Sequence, residues 1–214
     1  MNAEVIGNND PRWKWTLNWN EITDRLVVGS CPMVGSDLAR IRSEARVSAL
    51  LSLQHDLCHA HFGIDYGALR RHGRQLGLKL AWHPIRDFDA DDARRRLPGA
   101  VRALDALLRG HERVYVHCTA GMGRAPLTVL GYLVFIKGMA FEKGLALLRE
   151  RRPIVCPNID AFLNCYADLV QRHRSTIDER ARRLGLTMPH GDARLHQRHA
   201  EAQVLREAVL AKDA

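Results

Sequence analysis

Residues 116–126, VHCTAGMGRAP, place Cys118 six positions before Arg124, with two glycines in the segment that separates them. The residues just before, ERVYVH at 112–117, have the apolar character of a short buried strand. Residues 125–137 have the pattern of a buried helix. The sequence therefore predicts a strand, a tight loop and a helix, with Cys118 at the carboxyl end of a parallel strand, where open α/β sheets bind ligands.

The rest of the chain alternates between strand and helix patterns around this segment. Strands are predicted at 22–29, 46–53, 78–85 and 112–117, and helices at 35–44, 63–76, 91–109, 125–137, 141–152 and 159–173. Gly138 is well placed to end the helix that follows the loop. Alternation of this kind predicts an α/β fold with a central, mostly parallel sheet flanked by helices on both faces.

The length of 214 residues suits one sizeable core rather than two full domains. We predict an N-terminal extension at 1–14, a catalytic domain at 15–174 and a helical C-terminal tail at 175–214. The tail is charged and has only modest apolar spacing, and TMPHGD at 187–192 is the predicted break within it.

The net charge of +8 arises mainly from arginine clusters, including RRHGR at 70–74, RRR at 94–96 and RERR at 149–152. These clusters are interpreted either as solvated helix faces or as attraction towards an anionic partner. No basic and aromatic motif of a known nucleic-acid module accompanies them, so no nucleic-acid partner is predicted.

Other composition features narrow the class of protein. No apolar run approaches the ~18 residues of a membrane helix, so no membrane partner is expected. Five cysteines at irregular spacings predict reduced thiols rather than a disulfide framework. The first residues, MNAEVIGNND, match neither a signal nor a transit pattern, which predicts a cytoplasmic protein, or a plastid protein if a transit peptide has been removed. The oligomeric state is not predicted.

The loop has the chemistry of a phosphate site. Successive backbone N–H groups at a helix N-terminus can surround an anion, and the Arg124 guanidinium offers a rigid fork of donors to two phosphate oxygens. The same surroundings favour the thiolate form of Cys118, which is the nucleophilic form. The predicted phosphate-binding residues are Thr119, Ala120, Gly121, Met122, Gly123 and Arg124.

Departure of the substrate oxygen then requires a proton donor from another segment. The segment IRDFDADD at 85–92 follows a predicted strand and supplies candidate carboxyl groups. Asp87 is the predicted general acid and Asp89 the alternative, while Asp91 or Asp92 is expected to cap the next helix.

Cys-x5-Arg after a strand resembles the loop of the cysteine-dependent protein tyrosine phosphatase superfamily, and the position of Asp87 resembles its dual-specificity branch. The loop sequence CTAGMGRAP, at 118–126, is similar to the corresponding loop of plant starch and glucan phosphatases, a laforin-like group. Further similar segments are WNEITDRLVVGSC at 19–31, LSLQHD at 51–56, HFGID at 61–65, RDFD with RLPGAV, and RRP with PNIDA within 151–161. The likeness covers roughly residues 15–170.

The resemblance implies a dual-specificity phosphatase fold with Cys118 as nucleophile, Arg124 as phosphate clamp and Asp87 as acid. The implied reaction is hydrolysis of phosphate monoesters on phosphorylated α-glucan through a cysteinyl-phosphate intermediate. The alternative is the same chemistry on phosphoprotein or a small phosphorylated metabolite. No cofactor is implied, and the cluster HDLCHAH at 55–61 lacks the second matching pair expected of a metal site.

Glucan phosphatases of this group line their channel with aromatic rings that stack on glucose. The corresponding residues here are Trp19, Phe62 and Phe88, although Phe62 and Phe88 are equally compatible with a place in the core. Ala125 departs from the superfamily pattern, because most members have Ser or Thr there to help the thiolate leave. Plant glucan phosphatases resemble this chain in having Ala at that position.

Overall fold

The computed structural model describes residues 14–187 and 192–211. Its elements, in chain order, are β1 Trp19–Thr23, β2 Leu26–Gly29, α1 Gly35–Glu44, β3 Ala49–Ser52, α2 Asp56–Phe62, α3 Tyr66–Gln75, β4 Lys79–Trp82, α4 Ala90–Gly110, β5 Val114–His117, α5 Arg124–Gly131, a π-helical continuation of α5 at Tyr132–Ile136, α6 Phe141–Arg151, α7 Ile159–Arg172, α8 Arg174–Thr187 and α9 Ala193–Leu210.

The strands form one sheet in the order β1-β2-β5-β3-β4. The pairs β2–β5, β5–β3 and β3–β4 are parallel, and β1 pairs with β2 in the antiparallel direction. The predicted α/β fold with a mostly parallel sheet is therefore confirmed. The prediction of one strand at 22–29 is wrong, because a turn at Asp24 and Arg25 divides this stretch between β1 and β2.

Successive side chains of the buried strands pack into two different cores, one on each face of the sheet. On β5, Val114 and Val116 belong to the larger core, whereas Tyr115 between them belongs to the smaller one. On β3, Leu51 belongs to the larger core and Leu50 to the smaller one. Side chains alternate across a strand, so a strand covered on both faces needs an unbroken apolar sequence.

Helices α4, α5 and α7 contribute to the larger core, and α1 and α3 contribute to the smaller one. Gly131 sits where α5 packs closely on α4, since a Cβ there would lie 2.6 Å from Cγ2 of Val101. The helical segment after the loop ends at Gly138, which has a φ of 67°, as predicted.

Helix α2 was not predicted as an element of its own. It begins after His55, whose ring accepts a hydrogen bond from the Leu57 N–H at 3.3 Å. It ends at Gly63, with a φ of 63°. At seven residues, α2 is too short for helical periodicity to stand out in the sequence.

The predicted tail forms α8 and α9, which pack against each other. Leu205 and Val209 of α9 join the larger core, while Ile177 of α8 and Val204 of α9 form a small cluster of their own. The domain boundary at 174 and 175 stays a prediction. The N-terminal extension, apart from Lys14, and residues 188–191 of the predicted break lie outside the described residues.

Within residues 14–187 and 192–211, no helix combines the length and apolar character needed to cross a membrane. The same ranges contain no group of three or more His, Cys, Asp or Glu side chains placed to hold a metal ion.

Candidate active site

The loop at residues 118–124 joins β5 to α5. Four of its carbonyl oxygens accept hydrogen bonds from residues outside the loop. The donors and acceptors are, in loop order, Cys31 N–H to Thr119 O at 3.0 Å, Arg152 Nη2 to Ala120 O at 3.0 Å, Arg152 Nε to Gly121 O at 2.9 Å, and Cys156 N–H to Met122 O at 2.7 Å. The C=O and N–H of a trans peptide point in opposite directions. Four successive N–H groups of the loop therefore face away from these donors, towards the loop interior, in an arrangement suited to a tetrahedral oxyanion.

The loop can adopt this path because Gly121 has no side chain. Its φ is 68°, and a Cβ at this position would lie 2.4 Å from the carbonyl oxygen of Gly29 at the end of β2. Only glycine combines this left-handed backbone with so close an approach of two chains.

Cys118 and Arg124 lie at the two ends of this loop. Cys118 directly follows β5 and is 2% exposed, while Arg124 is the first residue of α5 and is 5% exposed. The Arg124 guanidinium donates from Nη1 to the carbonyl oxygen of Ile85 at 3.0 Å and from Nη2 to Oγ1 of Thr119 at 3.1 Å. Its Nε is buried and has no hydrogen-bond partner among the described residues.

Asp87 reaches the same guanidinium, with Oδ2 2.6 Å from Nη2 of Arg124. Two influences on this carboxyl group oppose each other. Burial raises the pKa of Asp87, while the Arg124 charge and the Phe88 N–H act in the other direction. Burial prevails, so the pKa is raised in spite of the short ion pair; a carboxyl group of this kind can hold a proton at a pH where an exposed aspartate has lost it.

Burial lowers the pKa of Arg124, but the nearby Cys118 and Asp87 groups outweigh it and leave the pKa above its usual value. Arg124 is therefore a permanent cation at the centre of the loop.

Phe62 and Phe88 line a cavity of about 420 Å³ together with Asp87, Arg86 and Thr119. Phe88 is 70% exposed and has a φ of 56°. A positive φ is unusual for a bulky side chain, and strained conformations of this kind cluster at functional sites. The open position of Phe88 removes the alternative that it is a core residue.

Trp19 does not line this cavity. Its ring meets Tyr115 edge to face, with centroids 6.2 Å apart, and it packs against the smaller core. The structure thus brings Phe62 and Phe88 together with Asp87 and leaves Trp19 apart from them. The part of Trp19 in substrate binding stays a prediction.

Asp89 lines the cavity too, but its Oδ1 accepts the N–H of Asp92 at 2.8 Å and thereby caps α4. The prediction that Asp91 or Asp92 caps this helix is wrong by two or three residues. Asp92 instead accepts the Arg86 N–H at 2.8 Å and Nε of Arg96 at 2.9 Å, which ties the Asp87 segment to α4.

Two residues at the site were not predicted as parts of it. Arg152 is 1% exposed and binds Oδ1 of Asn18 at 2.6 Å and Oδ1 of Asn20 at 2.8 Å, besides the two loop carbonyls. Cys58 is buried, and its Sγ lies 3.3 Å from Nη1 of Arg124. RERR at 149–152 offered no signal that one of its arginines is buried, because a charge cluster ordinarily marks a solvated face.

His117, next to the nucleophile candidate, is fully buried, and its Nδ1 lies 3.3 Å from the Cys118 carbonyl oxygen. Burial lowers the pKa of His117 to about 3, so the ring is neutral at physiological pH. A neutral, buried ring beside the loop is suited to orienting it rather than to exchanging protons.

Comparison with known proteins identifies several relatives. The chain is 34% identical over 163 residues to "Phosphoglucan phosphatase DSP4, amyloplastic" of Castanea sativa. The matched segment is 75% of this chain and 43% of that protein. It is 27% identical over 166 residues to laforin of Mus musculus, covering 73% of this chain and 50% of laforin. The chain thus spans half or less of the length of these relatives.

Among solved structures, the fold is similar to that of Tk-PTP in its active form, with a TM-score of 0.58 and 19% identity over 72% of this chain and 97% of that one. Residues 54–167 match the family described as "Dual specificity phosphatase, catalytic domain", which is more than half of the chain. This match includes Cys118, Arg124 and Asp87. The chain therefore belongs to the dual specificity phosphatase catalytic domain family.

Proposed function

We propose that this protein is a cysteine-dependent phosphatase that hydrolyses phosphate monoesters on phosphorylated α-glucan. The observation that carries the proposal is the loop at 118–124, whose four outward carbonyls direct N–H groups inward beside the buried guanidinium of Arg124. A dianionic phosphoryl group would satisfy these donors together with Nε of Arg124, which has no hydrogen-bond partner among the described residues.

In the first step, the Cys118 thiolate attacks phosphorus while the bond to the sugar oxygen breaks. The inward N–H groups and Arg124 stabilise charge on the equatorial oxygens of the transition state. Asp87 donates its proton to the departing oxygen, so the products are the sugar alcohol and a cysteinyl-phosphate.

In the second step, the Asp87 carboxylate takes a proton from water, which attacks the phosphorus and releases the thiolate and inorganic phosphate. Arg124 must turn donors from Asp87 towards the phosphate during this cycle, because one Nη2 group serves both Asp87 and Thr119 in the structure. Ala125 has no hydroxyl group to stabilise the leaving thiolate. We therefore expect this second step to be slower than the first.

The choice of glucan rests on the cavity beside Asp87. Phe62 and Phe88 provide two aromatic rings at its wall, and aromatic rings stack well on the apolar faces of sugars. The positive φ of exposed Phe88 costs stability that burial of its ring does not offset, and strained residues of this kind cluster at functional sites. Relatives named phosphoglucan phosphatase in Castanea sativa and Arabidopsis thaliana support the same substrate class.

The experiment compares phosphate release from phosphorylated amylopectin, an aryl phosphate and a phosphotyrosyl peptide, with Cys118→Ser as the blank. We expect release from amylopectin that depends on Cys118. Activity on the aryl phosphate or the peptide alone would keep the catalytic proposal and replace glucan by a phosphoprotein or a small phosphorylated metabolite.

Phe88→Ala tests the aromatic wall in the same assay, and it should lower amylopectin activity more than aryl phosphate activity. Leu57→Ala is the matched control, because Leu57 lines the same cavity and is 68% exposed. Equal losses on both substrates for Phe88→Ala would assign the ring to the fold.

The compartment remains a prediction. The cytoplasm is the predicted location and a plastid is the alternative, which the words "amyloplastic" and "chloroplastic" in the names of two relatives support. Fractionation of source cells, followed with an antibody to this chain, distinguishes the two.

A further inference from the structure

A second cavity, of about 270 Å³, lies outside the candidate active site and shares no residue with the cavity beside Asp87. We call it the basic cavity. Its basic lining residues are His83, Arg95, Arg96, Arg102, Arg172 and His173. None of the described residues that line it is acidic.

Four parts of the chain build the basic cavity: the segment after β4, the first half of α4, the end of α7 and the last turns of α9. His83 packs against α4 where Gly99 leaves room, since a Cβ on Gly99 would lie 2.7 Å from the His83 ring. The ring nitrogen Nε2 of His83 lies 3.1 Å from the Arg96 carbonyl oxygen. The wall is therefore built from regular elements rather than from loose loops.

Part of the positive charge of the basic cavity is offset. Asp92 accepts Nε of Arg96 at 2.9 Å and lies 3.9 Å from Arg95, while Arg102 donates to the carbonyl oxygen of Ala211. Asp168 holds Arg94, which does not line the cavity, through two contacts of 2.6 Å each. The described lining still holds four arginines and no carboxylate.

The histidine in the wall is in an environment that disfavours its own charge. Burial is the main cause that lowers the pKa of His83; the hydrogen bond to the Arg96 carbonyl opposes it, and the Arg96 and Arg102 guanidiniums add smaller lowering effects. Like charges crowded in a concave site raise the local potential and attract an anion.

We propose that the basic cavity is a second binding site for a phosphate monoester, carried either by a free sugar phosphate or by the phosphorylated glucan itself. Arginines suit this ligand because their planar forks meet phosphate oxygens in pairs. The volume admits one phosphate group with part of a sugar ring. No aromatic side chain other than the two histidines lines the cavity, so it lacks the stacking platform that single-stranded nucleic acids use.

This proposal does not depend on catalysis, so its test removes the active site from the measurement. The background protein is the full chain with Cys118→Ser and Arg124→Ala, which takes the guanidinium out of the loop at 118–124. In this background, Arg95→Gln and Arg172→Gln together remove two charges from the basic cavity. Both side chains are exposed, and Arg95 contacts Asp92 only at 3.9 Å, so the fold should tolerate the change.

The matched control is Arg42→Gln with Arg74→Gln, two exposed arginines on α1 and α3 that do not line the cavity. Calorimetric titration with glucose 6-phosphate should give binding in the background protein. The cavity pair should weaken it at least about tenfold, since two charge-assisted hydrogen-bond donors are lost. The control pair should change it by less than about twofold.

Phosphorylated amylopectin, with enzymatically dephosphorylated amylopectin as the reference, distinguishes the source of the phosphate. Arginine-dependent binding of glucose 6-phosphate supports a free sugar phosphate as ligand. Arginine-dependent binding of the phosphorylated polymer alone supports the glucan. Absence of both, or equal weakening by the cavity pair and the control pair, overturns the proposal.

Discussion

Asp87 is the residue on which the proposed proton transfer depends. Its carboxyl group is paired with Arg124, yet burial raises its pKa. A general acid works in its protonated form, so a raised pKa extends the range of activity towards higher pH. Turnover limited by this acid should fall as the pH rises through the pKa of Asp87.

We expect Asp87→Asn to lower kcat for phosphorylated amylopectin by about a hundredfold or more, because the sugar oxygen then leaves without a proton. The fall of kcat/KM at high pH that Asp87 causes in the first step should disappear with it. For an aryl phosphate with a good leaving group, kcat/KM, which reports the first step alone, should fall much less, whereas kcat still depends on Asp87 as the base of the second step. Steady-state kinetics across pH measure all three effects.

Asp89→Asn is the control for that prediction, because Asp89 shares the cavity and Asn is also a good helix N-cap. Its activity should stay near that of the unchanged protein. If Asp89→Asn lost as much as Asp87→Asn, Asp89 would be the acid.

Arg152 acts through the loop rather than on the substrate. Its guanidinium holds the carbonyls of Ala120 and Gly121 and is anchored by Asn18 and Asn20. It is therefore a positioning residue, which keeps the loop N–H groups directed inward.

We expect Arg152→Met to raise KM for every phosphate ester and to lower the free energy of unfolding by roughly 3 kcal/mol, because two buried carbonyls lose their donors. Kinetics and denaturant unfolding test both effects. Arg151→Met is the matched control, since Arg151 is its exposed neighbour. A change in stability without a change in KM would make Arg152 a structural residue only.

Among the elements, α4 and α5 matter most to the site, because α5 begins at Arg124 and α4 supports it. Gly131 permits their contact: an added Cβ would lie 2.6 Å from Cγ2 of Val101 and 3.2 Å from Cδ1 of Leu97. Both neighbours are fully buried, so neither can move away cheaply.

Gly131→Ala should therefore lower the free energy of unfolding by about 1–3 kcal/mol, in spite of the higher helix propensity of alanine. Gly110→Ala, at the end of α4, has no atom within 4 Å of its new Cβ and should be neutral or slightly stabilising. Denaturant unfolding of the two variants makes the comparison. A loss at Gly110 equal to that at Gly131 would refute the packing explanation.

The same elements show what the sequence can predict. The range predicted for α1 agrees with the structure, and the loop and sheet type follow from the apolar strands and the Cys118 to Arg124 spacing. The turn inside 22–29 was not predicted, because Asp24 and Arg25 are a weak turn signal without glycine or proline. Burial of Arg152 depends on partners more than 100 positions away, Asn18 and Asn20, which no local pattern contains.

At the scale of the whole molecule, the C-terminal helices are joined to the main body. Leu205 and Val209 of α9 are buried in the larger core, and Tyr166 of α7 bonds to Glu201 of α9. Arg180 of α8 pairs with Glu207 of α9 at 2.6 Å. These contacts predict that the tail unfolds together with the catalytic domain.

Leu205→Ala should lower the free energy of unfolding of the whole protein by about 2–5 kcal/mol, in a single transition. Leu186→Ala is the control, since Leu186 is 83% exposed and should change stability little. Two separate transitions followed by tryptophan fluorescence and circular dichroism would show instead that the tail is an independent unit.

The proposed function depends above all on transfer of the phosphoryl group from glucan to Cys118. The direct measurement is rapid acid quenching of the enzyme with radiolabelled phosphorylated amylopectin, followed by peptide mapping of the covalent label. We predict label on the peptide that contains Cys118 and none in Cys118→Ser. Release of phosphate from amylopectin with no label at Cys118 at any quench time, or full activity of Cys118→Ser, would show that Cys118 is not the nucleophile.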